Sequence, residues 1–450
     1  MRISVLGTGY LGATHAACLA AVGHDVVGVE RDPEKVASLQ QGRAPFREDG
    51  LDDLLGRTLG SGRLRFTTDL AEAAGADVHF VCVGTPESED PPGRLDLTAL
   101  WGVLDDLAPL LDRPCVVVGR STVPVGTAAA ARDAVRRKAP AGAEVAVAWN
   151  PEFLREGHAV ADSMEPHRIV VGADDQRALE ALREVYGDWL ARDVPFVVTD
   201  LPTAELAKLS ANAMLAIRVS TVNVLAEMCE ASGANVDDLV EIVGGDPRIG
   251  RYYLQPGLGY GGSCLPKDLR GLATSAGELG LTTAAQFLVH ADQVNLWQRQ
   301  RTTALAAELL GGDVRGRRVA VLGVTFKAGS DDLRESPAVD VVHRLAEAGA
   351  DLRAYDPGLH DHPAGDGWTV VGSAEEACAD ADLVLVLTDW EDFDRLDAAA
   401  LARATRTPRV IDARHVLDKQ RWQDAGWEHW CLGLDPVTPR VRDHGQAVVA

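Results

Sequence analysis

The stretch of sequence that decides the fold is Ile3-Ser4-Val5-Leu6-Gly7-Thr8-Gly9-Tyr10-Leu11-Gly12. Its apolar start predicts a β-strand, and the spaced glycines predict a tight turn into the alanine-rich helix that follows. Glycines in such a turn let a pyrophosphate approach the N-terminus of the helix closely. Glu30 stands at the end of the next predicted strand, where a carboxylate can accept hydrogen bonds from an adenosine ribose. The context therefore predicts a dinucleotide-binding unit.

Two further loops follow predicted strands, at the edge where open α/β sheets bind ligands. They are Val81-Cys82-Val83-Gly84-Thr85-Pro86 and Ser121-Thr122-Val123-Pro124-Val125-Gly126-Thr127. Their hydroxyl and backbone N–H groups suit a cofactor, and an ordinary turn is the alternative for either loop. Glu30 would repel a 2′-phosphate and so favours NAD, whereas Arg31 beside it leaves NADP open.

The apolar runs alternate with alanine-rich segments of helical length, which is typical of a parallel sheet covered by helices. The predicted strands of the first series are Ile3 to Leu6, Asp25 to Val29, Val78 to Val83, Cys115 to Gly119, Val145 to Trp149 and Ile169 to Val171. The second series is Arg318 to Gly323, Asp351 to Tyr355, Leu383 to Thr388 and Arg409 to Asp412. Between the two series, Ala204 to Ser232 is apolar at nearly every position, which predicts one long helix buried on most sides.

We therefore predict an α/β protein with two Rossmann-like doubly wound domains joined by a long central helix. The predicted divisions are 1–200 for a dinucleotide-binding domain, 201–305 for a helical central domain, 306–440 for a C-terminal Rossmann-like domain and 441–450 for a tail.

Composition excludes several classes of protein. The formal net charge is −23, which argues against nucleic acid or an anionic membrane as a partner, because those are met by basic surfaces. No signal peptide is visible after Met1, and we expect no stretch that is long and apolar enough to span a bilayer. The seven cysteines never form Cys-x-x-Cys, so we expect neither disulfides nor a metal site, and a reducing cytoplasm as the location.

Cys264 lies within Gly261-Gly262-Ser263-Cys264-Leu265-Pro266-Lys267-Asp268. The pattern predicts that Ser263 caps a short helix with Pro266 in its first turn. The N–H groups at that end would favour the thiolate, with Asp268 on the same side. A thiolate there can add to an aldehyde, and the adduct can lose a second hydride to become a thioester that water cleaves. A buried structural cysteine is the alternative.

Lys208 and Asn212 are four residues apart on the apolar middle helix and so share a face. A lysine in such a helix either reaches solvent or, beside a carboxamide, stabilises a developing oxyanion. Glu152 follows another predicted strand, in Asn150-Pro151-Glu152-Phe153-Leu154-Arg155-Glu156-Gly157. It would position water or substrate, and a solvated or salt-bridged acid is the alternative.

With these motifs, the chain resembles the nucleotide-sugar 6-dehydrogenases, which oxidise UDP-glucose to UDP-glucuronate or GDP-mannose to GDP-mannuronate. The resemblance covers nearly the whole chain, including Gly323 to Pro337. It implies that Cys264 is the nucleophile, that Lys208 and Asn212 stabilise the oxyanion, and that Asp268, Thr122 and Glu152 organise the water. It also implies two NAD per sugar and a homodimer. Which group takes the first alcohol proton stays open.

The resemblance implies contacts to NAD from Gly7, Gly9, Tyr10, Leu11, Gly12, Glu30, Arg31, Lys35, Val83, Gly84, Thr85, Thr122, Glu156, Lys267 and Arg334. It implies contacts to the nucleotide sugar from Glu152, Phe153, Leu154, Arg155, Glu156, Lys208, Asn212, Tyr253, Gly257, Gly261 and Phe326. Lys327 and Arg414 would reach the substrate from the C-terminal domain. Arg248 would arrive from the partner subunit, since it has no obvious partner in its own acidic surroundings.

Several departures from the family pattern bear on the substrate. Asn150 to Gly157 looks like the UDP-glucose enzymes, whereas Leu265 stands where those enzymes commonly have phenylalanine and is similar to the mannose branch. Glu30 replaces a more usual aspartate, and Asp49 stands where Pro-Gly is typical. UDP-glucose is the expected substrate, with dTDP-glucose and GDP-mannose as alternatives. Rival functions are a single-oxidation hydroxyacid-type dehydrogenase and a non-catalytic nucleotide-sugar sensor.

Overall fold

The computed structural model describes residues 1–90, 92–359 and 367–434. The predicted tail, 441–450, and the end of the predicted C-terminal domain lie outside the described residues. The described chain forms two compact units. The first comprises residues 1–214, 263–290 and 329–331, and the second comprises 215–262, 291–328 and the chain from 332 onward.

The first unit contains an eight-stranded sheet. Its strands are β1 (Arg2–Leu6), β2 (Asp25–Val29), β3 (Leu64–Thr67), β4 (Val78–Val81), β5 (Cys115–Gly119), β6 (Val145–Trp149), β7 (Ile169–Ala173) and β8 (Phe196–Thr199). The strand order is β3-β2-β1-β4-β5-β6-β7-β8. The first six strands in that order reproduce the dinucleotide-binding arrangement, with a switch point at β1 and β4.

Helices connect these strands. They are α1 (Tyr10–Ala21), α2 (Pro33–Gln40), α3 (Leu51–Gly60), α4 (Thr98–Leu107), α5 (Thr127–Lys138), α6 (Ala159–Met164), α7 (Gln176–Val185) and α8 (Gly187–Leu190). Short 3₁₀ turns occupy Leu70–Ala73, Ala108–Leu110 and Gly142–Glu144. A hydrophobic core lies on each face of this sheet, and alternate strand residues pack into one or the other. Val116 and Val118 of β5 pack into the first core, and Val117 packs into the second. Both faces of β5 are therefore buried, which explains its uninterrupted apolar sequence.

Four helices follow β8. They are α9 (Leu201–Ser232), α10 (Val236–Gly244), α11 (Leu265–Glu278) and α12 (Thr282–Leu309). Sequence patterns predicted one long helix here, and α12 is a second. Polar contacts join α9 to α12 within the second unit. Ser220 Oγ donates to the carbonyl oxygen of Ala291, 2.7 Å away, and Gln298 Nε2 donates to Glu227 Oε1, 2.9 Å away.

The second unit contains a six-stranded sheet. Its strands are β9 (Arg318–Leu322), β10 (Asp351–Tyr355), β11 (Trp368–Val370), β12 (Leu383–Val386), β13 (Arg409–Asp412) and β14 (Glu428–Cys431), in the order β11-β10-β9-β12-β13-β14. Its helices are α13 (Pro337–Glu347), α14 (Ala374–Cys378), α15 (Glu391–Asp394), α16 (Ala398–Ala404) and α17 (Lys419–Asp424). This order is the same doubly wound arrangement, and the prediction of two such α/β parts is confirmed.

The sequence missed four strands, β3, β8, β11 and β14, and these are the edge strands of the two sheets. Strands β3, β11 and β14 mix polar with apolar residues, so they lack the apolar run that reveals a central strand. Strand β8, Phe196-Val197-Val198-Thr199, is a short apolar run that was not recognised as a strand. The expectation of a parallel sheet was also wrong at one place. Strand β7 pairs antiparallel with β6, while every other strand pair is parallel among the described residues.

Helix α9 corrects two expectations. It is long and apolar enough to span a membrane by length and composition, although we expected no such stretch. It is also not buried on most sides, since 44% of its most apolar window is buried and Met214 and Met228 are each 61% exposed. Length and composition alone are weak evidence for a membrane span, because the core helix of a soluble protein can be equally long and apolar. The buried Glu205 and Lys208 of α9 have polar partners inside the first unit, which is typical of a core helix.

Candidate active site

The glycine loop between β1 and α1 has the geometry that a pyrophosphate requires. A Cβ atom on Gly12 would lie 1.9 Å from the carbonyl oxygen of Gly7, so only glycine fits there. At Gly9 and Gly84 a Cβ atom would meet no protein atom within 4 Å. Helix α1 begins at Tyr10 with Gly9 as its N-cap, so no side chain covers its first N–H groups. The loop therefore leaves room and hydrogen-bond donors for a dinucleotide.

Glu30 is fixed beside this loop. Its carboxylate accepts hydrogen bonds from the backbone N–H groups of Thr8, at 3.1 Å, and Asp32, at 3.3 Å. Arg31 and Lys35 are exposed. A carboxylate at the end of β2 is the feature that selects a ribose with a free 2′-hydroxyl.

The loops after β4 and β5 are joined by hydrogen bonds. Ser121 Oγ donates to the carbonyl oxygen of Val83 at 2.6 Å, and Thr85 Oγ1 donates to that of Thr122 at 2.7 Å. The two loops therefore form one layer at the carboxyl edge of the sheet, and they are not independent turns.

Glu152 forms a buried ion pair. Its Oε1 atom lies 2.7 Å from the Nζ atom of Lys208, and its Oε2 atom accepts a hydrogen bond from the N–H of Leu154 at 2.6 Å. Burial favours the neutral acid, but the charge and hydrogen bond of Lys208 outweigh it, and the pKa of Glu152 is lowered. Of the alternatives for Glu152, the solvated acid is excluded and the salt-bridged acid is observed.

Lys208 is also buried, so it does not reach solvent. Burial opposes its charge, yet the carboxylates of Glu152 and Asp268 raise the pKa of Lys208. One helical turn later, Asn212 Nδ2 donates to Asp268 Oδ2 at 2.6 Å. The other oxygen of Asp268 lies 2.6 Å from Lys267 Nζ. Helices α9 and α11 therefore bring a cation, a carboxamide and a carboxylate together.

The structure corrects the expected environment of Cys264. Helix α11 has 14 residues, and Cys264 itself is its N-cap, so Ser263 lies outside the helix. No side chain caps this helix end, and Ser263 Oγ is 3.7 Å from Cys264 Sγ. Pro266 lies in the first turn, as predicted.

The expectation that the helix end would favour the thiolate is also wrong for the ligand-free protein. Cys264 is exposed as a residue, yet enough protein surrounds its sulfur that desolvation raises the pKa of the thiol. Lys208 opposes this shift, whereas Glu152 and Asp268 add to it. Desolvation therefore favours the thiol over the thiolate, and the carboxylates near Lys208 reinforce this.

The rest of the segment 150–157 is held by separate contacts. The guanidinium of Arg168 lies 3.9 Å from the centre of the Phe153 ring. Arg155 forms a two-point salt bridge with Asp162, at 3.0 and 2.7 Å. Glu156 Oε1 accepts a hydrogen bond from Ser330 Oγ at 2.8 Å.

In the second unit, Arg248 is exposed over 88% of its side chain and pairs with Asp246 at 2.6 Å. The expectation that Arg248 has no partner in its own surroundings is therefore wrong, because Asp246 is two residues away. Tyr253, a further predicted substrate residue, adopts a left-handed backbone conformation with φ of 60°.

The predicted substrate residues of the glycine-rich loop lie against the C-terminal sheet of the same unit. A Cβ atom on Gly257 would lie 2.4 Å from the carbonyl oxygen of Ala413, and one on Gly261 would lie 2.3 Å from that of Glu335. Arg414 holds this loop, because its Nη1 donates to the carbonyl oxygen of Gly259 at 2.7 Å.

Arg414 also donates through Nε to the carbonyl oxygen of Leu387 at 2.9 Å, and burial lowers its pKa. Its Nη2 is buried and has no hydrogen-bond partner among the described residues. Lys327 lies 5.5 Å from the ring centre of Phe326. Arg334 is exposed and pairs with Asp332 at 2.6 Å.

Sequence reasoning missed three residues at this edge of the first sheet. Arg120 is buried between Asn150 and Tyr186, and its charge helps to lower the pKa of Glu152. A charged residue directly after the apolar β5 was the available signal. Glu205 is also buried, and its carboxylate accepts hydrogen bonds from the N–H groups of Gly126 and Ala128 at the start of α5. No local signal marked the third, Glu48, which is buried.

One group among the described residues has the composition of a metal site. The candidate ligand atoms of Asp412, His429 and Cys431 lie within 4.8 Å of one another. The Asp412 carboxylate already accepts hydrogen bonds from the backbone N–H groups of Arg414 (3.0 Å) and Leu417 (2.8 Å). It therefore orders the loop after β13. The expectation of no metal remains a prediction.

The fold and the first unit's site together define a dinucleotide-dependent oxidoreductase. Three family models match successive parts of the chain. They describe the NAD binding domain (residues 1–190), the central domain (202–297) and the UDP binding domain (320–419) of one family. The chain belongs to this family, the UDP-glucose/GDP-mannose dehydrogenases. Its cofactor is NAD, as predicted, and the chain is an NAD-dependent nucleotide-sugar dehydrogenase.

Individual relatives agree with this assignment. The chain is 40% identical to a UDP-glucose 6-dehydrogenase of Rhizobium meliloti, with 96% of this chain and 99% of the relative covered. It is 37% identical to one of Pseudomonas aeruginosa, with 96% and 97% covered. A solved UDP-glucose dehydrogenase from Pyrobaculum islandicum is 36% identical, with a TM-score of 0.87 and coverage of 96% and 98%.

Proposed function

We propose that this chain oxidises the C6 hydroxyl of UDP-glucose to the carboxylate in the cytoplasm. The observation that carries the chemistry is the hydrogen bond from Asn212, one turn after Lys208 on α9, to Asp268 in the first turn of α11, the helix whose N-cap is Cys264. A single-oxidation dehydrogenase does not need a cysteine in this grouping. The relatives named as UDP-glucose 6-dehydrogenases support the choice of substrate.

The first oxidation converts the C6 alcohol to an aldehyde, and the thiolate of Cys264 then adds to the aldehyde carbon to give a thiohemiacetal. Loss of a second hydride from C6 gives a thioester, and water cleaves it to the carboxylate and the free thiol. When bound, NAD accepts the hydride of each oxidation, so two NAD are reduced per sugar. Each of the two oxidations moves two electrons, whereas the thiolate addition and the hydrolysis move none. One water is consumed, and the protons that the products do not keep are released to solvent.

We assign to Lys208 and Asn212 the stabilisation of the oxygen on C6. In both the alkoxide and the tetrahedral adduct this oxygen carries negative charge, and preorganised donors in a buried site lower its free energy. The raised pKa of Lys208 keeps its ammonium charged for this purpose. The lowered pKa of Glu152 keeps its carboxylate ionised, so Glu152 can accept a proton from the water that cleaves the thioester.

The thiol proton of Cys264 must leave before the thiol attacks. In the ligand-free protein the pKa of Cys264 is raised. A candidate acceptor is a water held by Asp268, whose carboxylate is bound by Asn212 and Lys267. Thr122, in the loop joined to Thr85, is the further residue proposed to order that water.

For the nucleotide, we propose Lys327 and Arg414 as phosphate ligands. A pyrophosphate requires local cations in a chain with a net charge of −23. The buried Nη2 of Arg414 supports this role, since it donates to none of the described residues. Phe326, Tyr253, Gly257 and Gly261 are proposed to shape the site around the nucleotide.

We also propose a homodimer in which Arg248 contributes to the partner's site. Several apolar side chains of the second unit are exposed, including Met228 (61%), Ile242 (75%) and Tyr252 (87%). Arg218 on α9 holds the loop next to Arg248 through the carbonyl oxygens of Ile249, Gly250 and Tyr252, at 2.8 to 3.0 Å. Exposed apolar surface next to an ordered loop is typical of a subunit interface.

The test is the stoichiometry and product of turnover with a panel of UDP-, dTDP- and GDP-sugars. We expect two NADH and one C6 carboxylate per UDP-glucose, and weaker activity with dTDP-glucose and GDP-mannose. One NADH with release of free aldehyde would contradict the mechanism. Preference for a GDP-sugar would show that the substrate is that of the GDP-mannose enzymes, which Leu265 resembles.

Cys264→Ser is the matched variant for the covalent step. It should form an ester in place of the thioester, and an ester is the poorer acyl donor to water, so the substrate should stay attached. Intact-protein mass spectrometry after incubation with UDP-glucose and NAD should show the added mass. Normal steady-state turnover by Cys264→Ser would remove Cys264 from the mechanism.

A further inference from the structure

Glu48 lies between the dinucleotide loop and the segment 150–157, on the chain between α2 and α3. Its side chain is buried, and the residue is 8% exposed. A buried carboxylate requires several donors, because the interior of a protein solvates charge poorly. The donors of Glu48 come from two different parts of the first unit.

The first donor is the hydroxyl of Tyr10, the first residue of α1 within the glycine loop. Burial and the hydrogen bond to Glu48 raise the pKa of Tyr10 far above its usual range, so the hydroxyl stays protonated and donates. The ring of Phe46 packs against the Tyr10 ring with 4.9 Å between the ring centres. Glu48 is thereby held against the start of the dinucleotide loop.

The other donors are backbone N–H groups that follow Glu152. The N–H of Gly157 lies 2.8 Å from Glu48 Oε2 and 2.6 Å from the Tyr10 hydroxyl oxygen, and the N–H of Val160 lies 3.4 Å from Glu48 Oε1. Gly157 has a φ of 79°, and a Cβ atom there would lie 3.0 Å from the carbonyl oxygen of Gly329. The backbone at Gly157 is thus confined on two sides.

We propose that Glu48 is a positioning residue that links the dinucleotide loop to the segment carrying Glu152 and Glu156. The segment 150–157 is held at its start by the Glu152 to Lys208 ion pair and at its end by Glu48 and Tyr10. Removal of the second anchor leaves Glu152 free to move away from Lys208. Glu48 thereby keeps the carboxylate of Glu152 at its ammonium partner and the first turn of α1 in its cofactor-binding position.

This proposal rests on the proposed role of Glu152, and its test has arms that do not depend on the substrate. The variants are Glu48→Gln, which turns an amide N–H₂ toward N–H donors, and Tyr10→Phe, which removes one hydroxyl. Asp49→Asn is the matched control, because Asp49 is the neighbouring carboxylate and is exposed. Hydrogen–deuterium exchange of the NAD-free protein is measured for peptides covering residues 150–160, and NAD affinity is measured by calorimetry.

We expect faster exchange in residues 150–160 of Glu48→Gln, with the exchange of the second unit unchanged. NAD affinity should fall roughly 3- to 10-fold, and kcat should fall roughly 10- to 100-fold, because small displacements of positioned groups reduce rates this much. The acid limb of the pH profile of kcat/KM should move to higher pH, since Glu152 loses part of the contact with Lys208 that lowers its pKa. Tyr10→Phe should show the same changes at smaller size, and Asp49→Asn should match the unmodified protein.

Faster exchange with unchanged kcat, NAD affinity and pH profile would show that Glu48 is only structural and would overturn the proposal. Unchanged exchange in Glu48→Gln would do the same. If Glu48→Gln does not fold, Tyr10→Phe decides by the same criteria. If the unmodified protein binds NAD but oxidises no UDP-glucose, the proposed function fails, while exchange and NAD affinity still decide the role of Glu48.

Discussion

The Nζ atom of Lys208 lies 2.7 Å from the Oε1 atom of Glu152, and their side chains are only 6% and 13% exposed. The pKa of the lysine is raised and that of the glutamate is lowered, so each group stabilises the charge of the other. An ion pair of this kind costs desolvation of both charges, and removal of one partner leaves the other unpaired. The pair therefore gives a direct test of both stability and catalysis.

Lys208→Met should reduce kcat by about 10²- to 10³-fold, the range for losing one donor to a developing oxyanion. It should also destabilise the fold by about 3–5 kcal/mol, because Glu152 is left buried without its cation. Steady-state kinetics and urea unfolding measure the two effects. Lys138→Met is the control, since Lys138 pairs with Asp105 at the surface and should cost no more than about 1 kcal/mol. A destabilisation of less than about 1 kcal/mol by Lys208→Met would contradict the buried ion pair.

The rate of alkylation of Cys264 should rise with pH. The midpoint of that rise should lie above the usual pKa of a cysteine thiol. Its pKa is raised by burial, so the thiolate fraction at neutral pH is small in the ligand-free protein. Lys208 opposes that shift, so Lys208→Met should move the alkylation profile to still higher pH. Alkylation by iodoacetamide, followed by intact-mass spectrometry, gives a single adduct because the other six cysteines are buried. Cys264→Ala supplies the blank, and rapid alkylation at neutral pH would contradict the raised pKa.

NAD should be preferred over NADP by about 1–3 kcal/mol, because Glu30 would face a 2′-phosphate at short range. The carboxylate is held in place by the N–H groups of Thr8 and Asp32, so it does not turn away. Glu30→Ser should narrow the ratio of kcat/KM between the two cofactors. Glu34→Ser, at an exposed position on α2, is the control and should leave the ratio of kcat/KM between NAD and NADP unchanged. Equal efficiency with both cofactors in the unmodified protein would show that Arg31 decides instead.

A mixture of Arg248→Ala and Cys264→Ala chains should recover activity that neither has alone. Random exchange in a dimer places one intact site in each hybrid, which gives about a quarter of the sites of the unmodified protein. Sedimentation and native mass spectrometry report the exchange. Demonstrated exchange without recovered activity would assign Arg248 to its own chain, where it pairs with Asp246.

Several of the central strands could be predicted from the sequence to the residue. Five of them, Asp25–Val29, Cys115–Gly119, Val145–Trp149, Asp351–Tyr355 and Arg409–Asp412, have the predicted bounds. A strand between two neighbours has buried apolar residues at its centre, so its position is visible in the local sequence. The edge strands β3, β8, β11 and β14 could not be found this way, since only pairing with a distant segment makes them strands.

The sequence by itself also determined which reactive side chains are candidates for the site, because the glycine spacing and the Cys264, Lys208 and Asn212 motifs are local patterns. Tertiary structure decided the pKa values of those groups and the hydrogen-bond partners that hold them in position. Desolvation by the surrounding protein raises the pKa of Cys264, with opposing and reinforcing charges from Lys208 and Glu152 in remote segments, and Glu48 acquires its role from an N–H more than a hundred residues away. Electrostatic and hydrogen-bond energies depend on distances through space, and distances between remote segments exist only once the chain has folded.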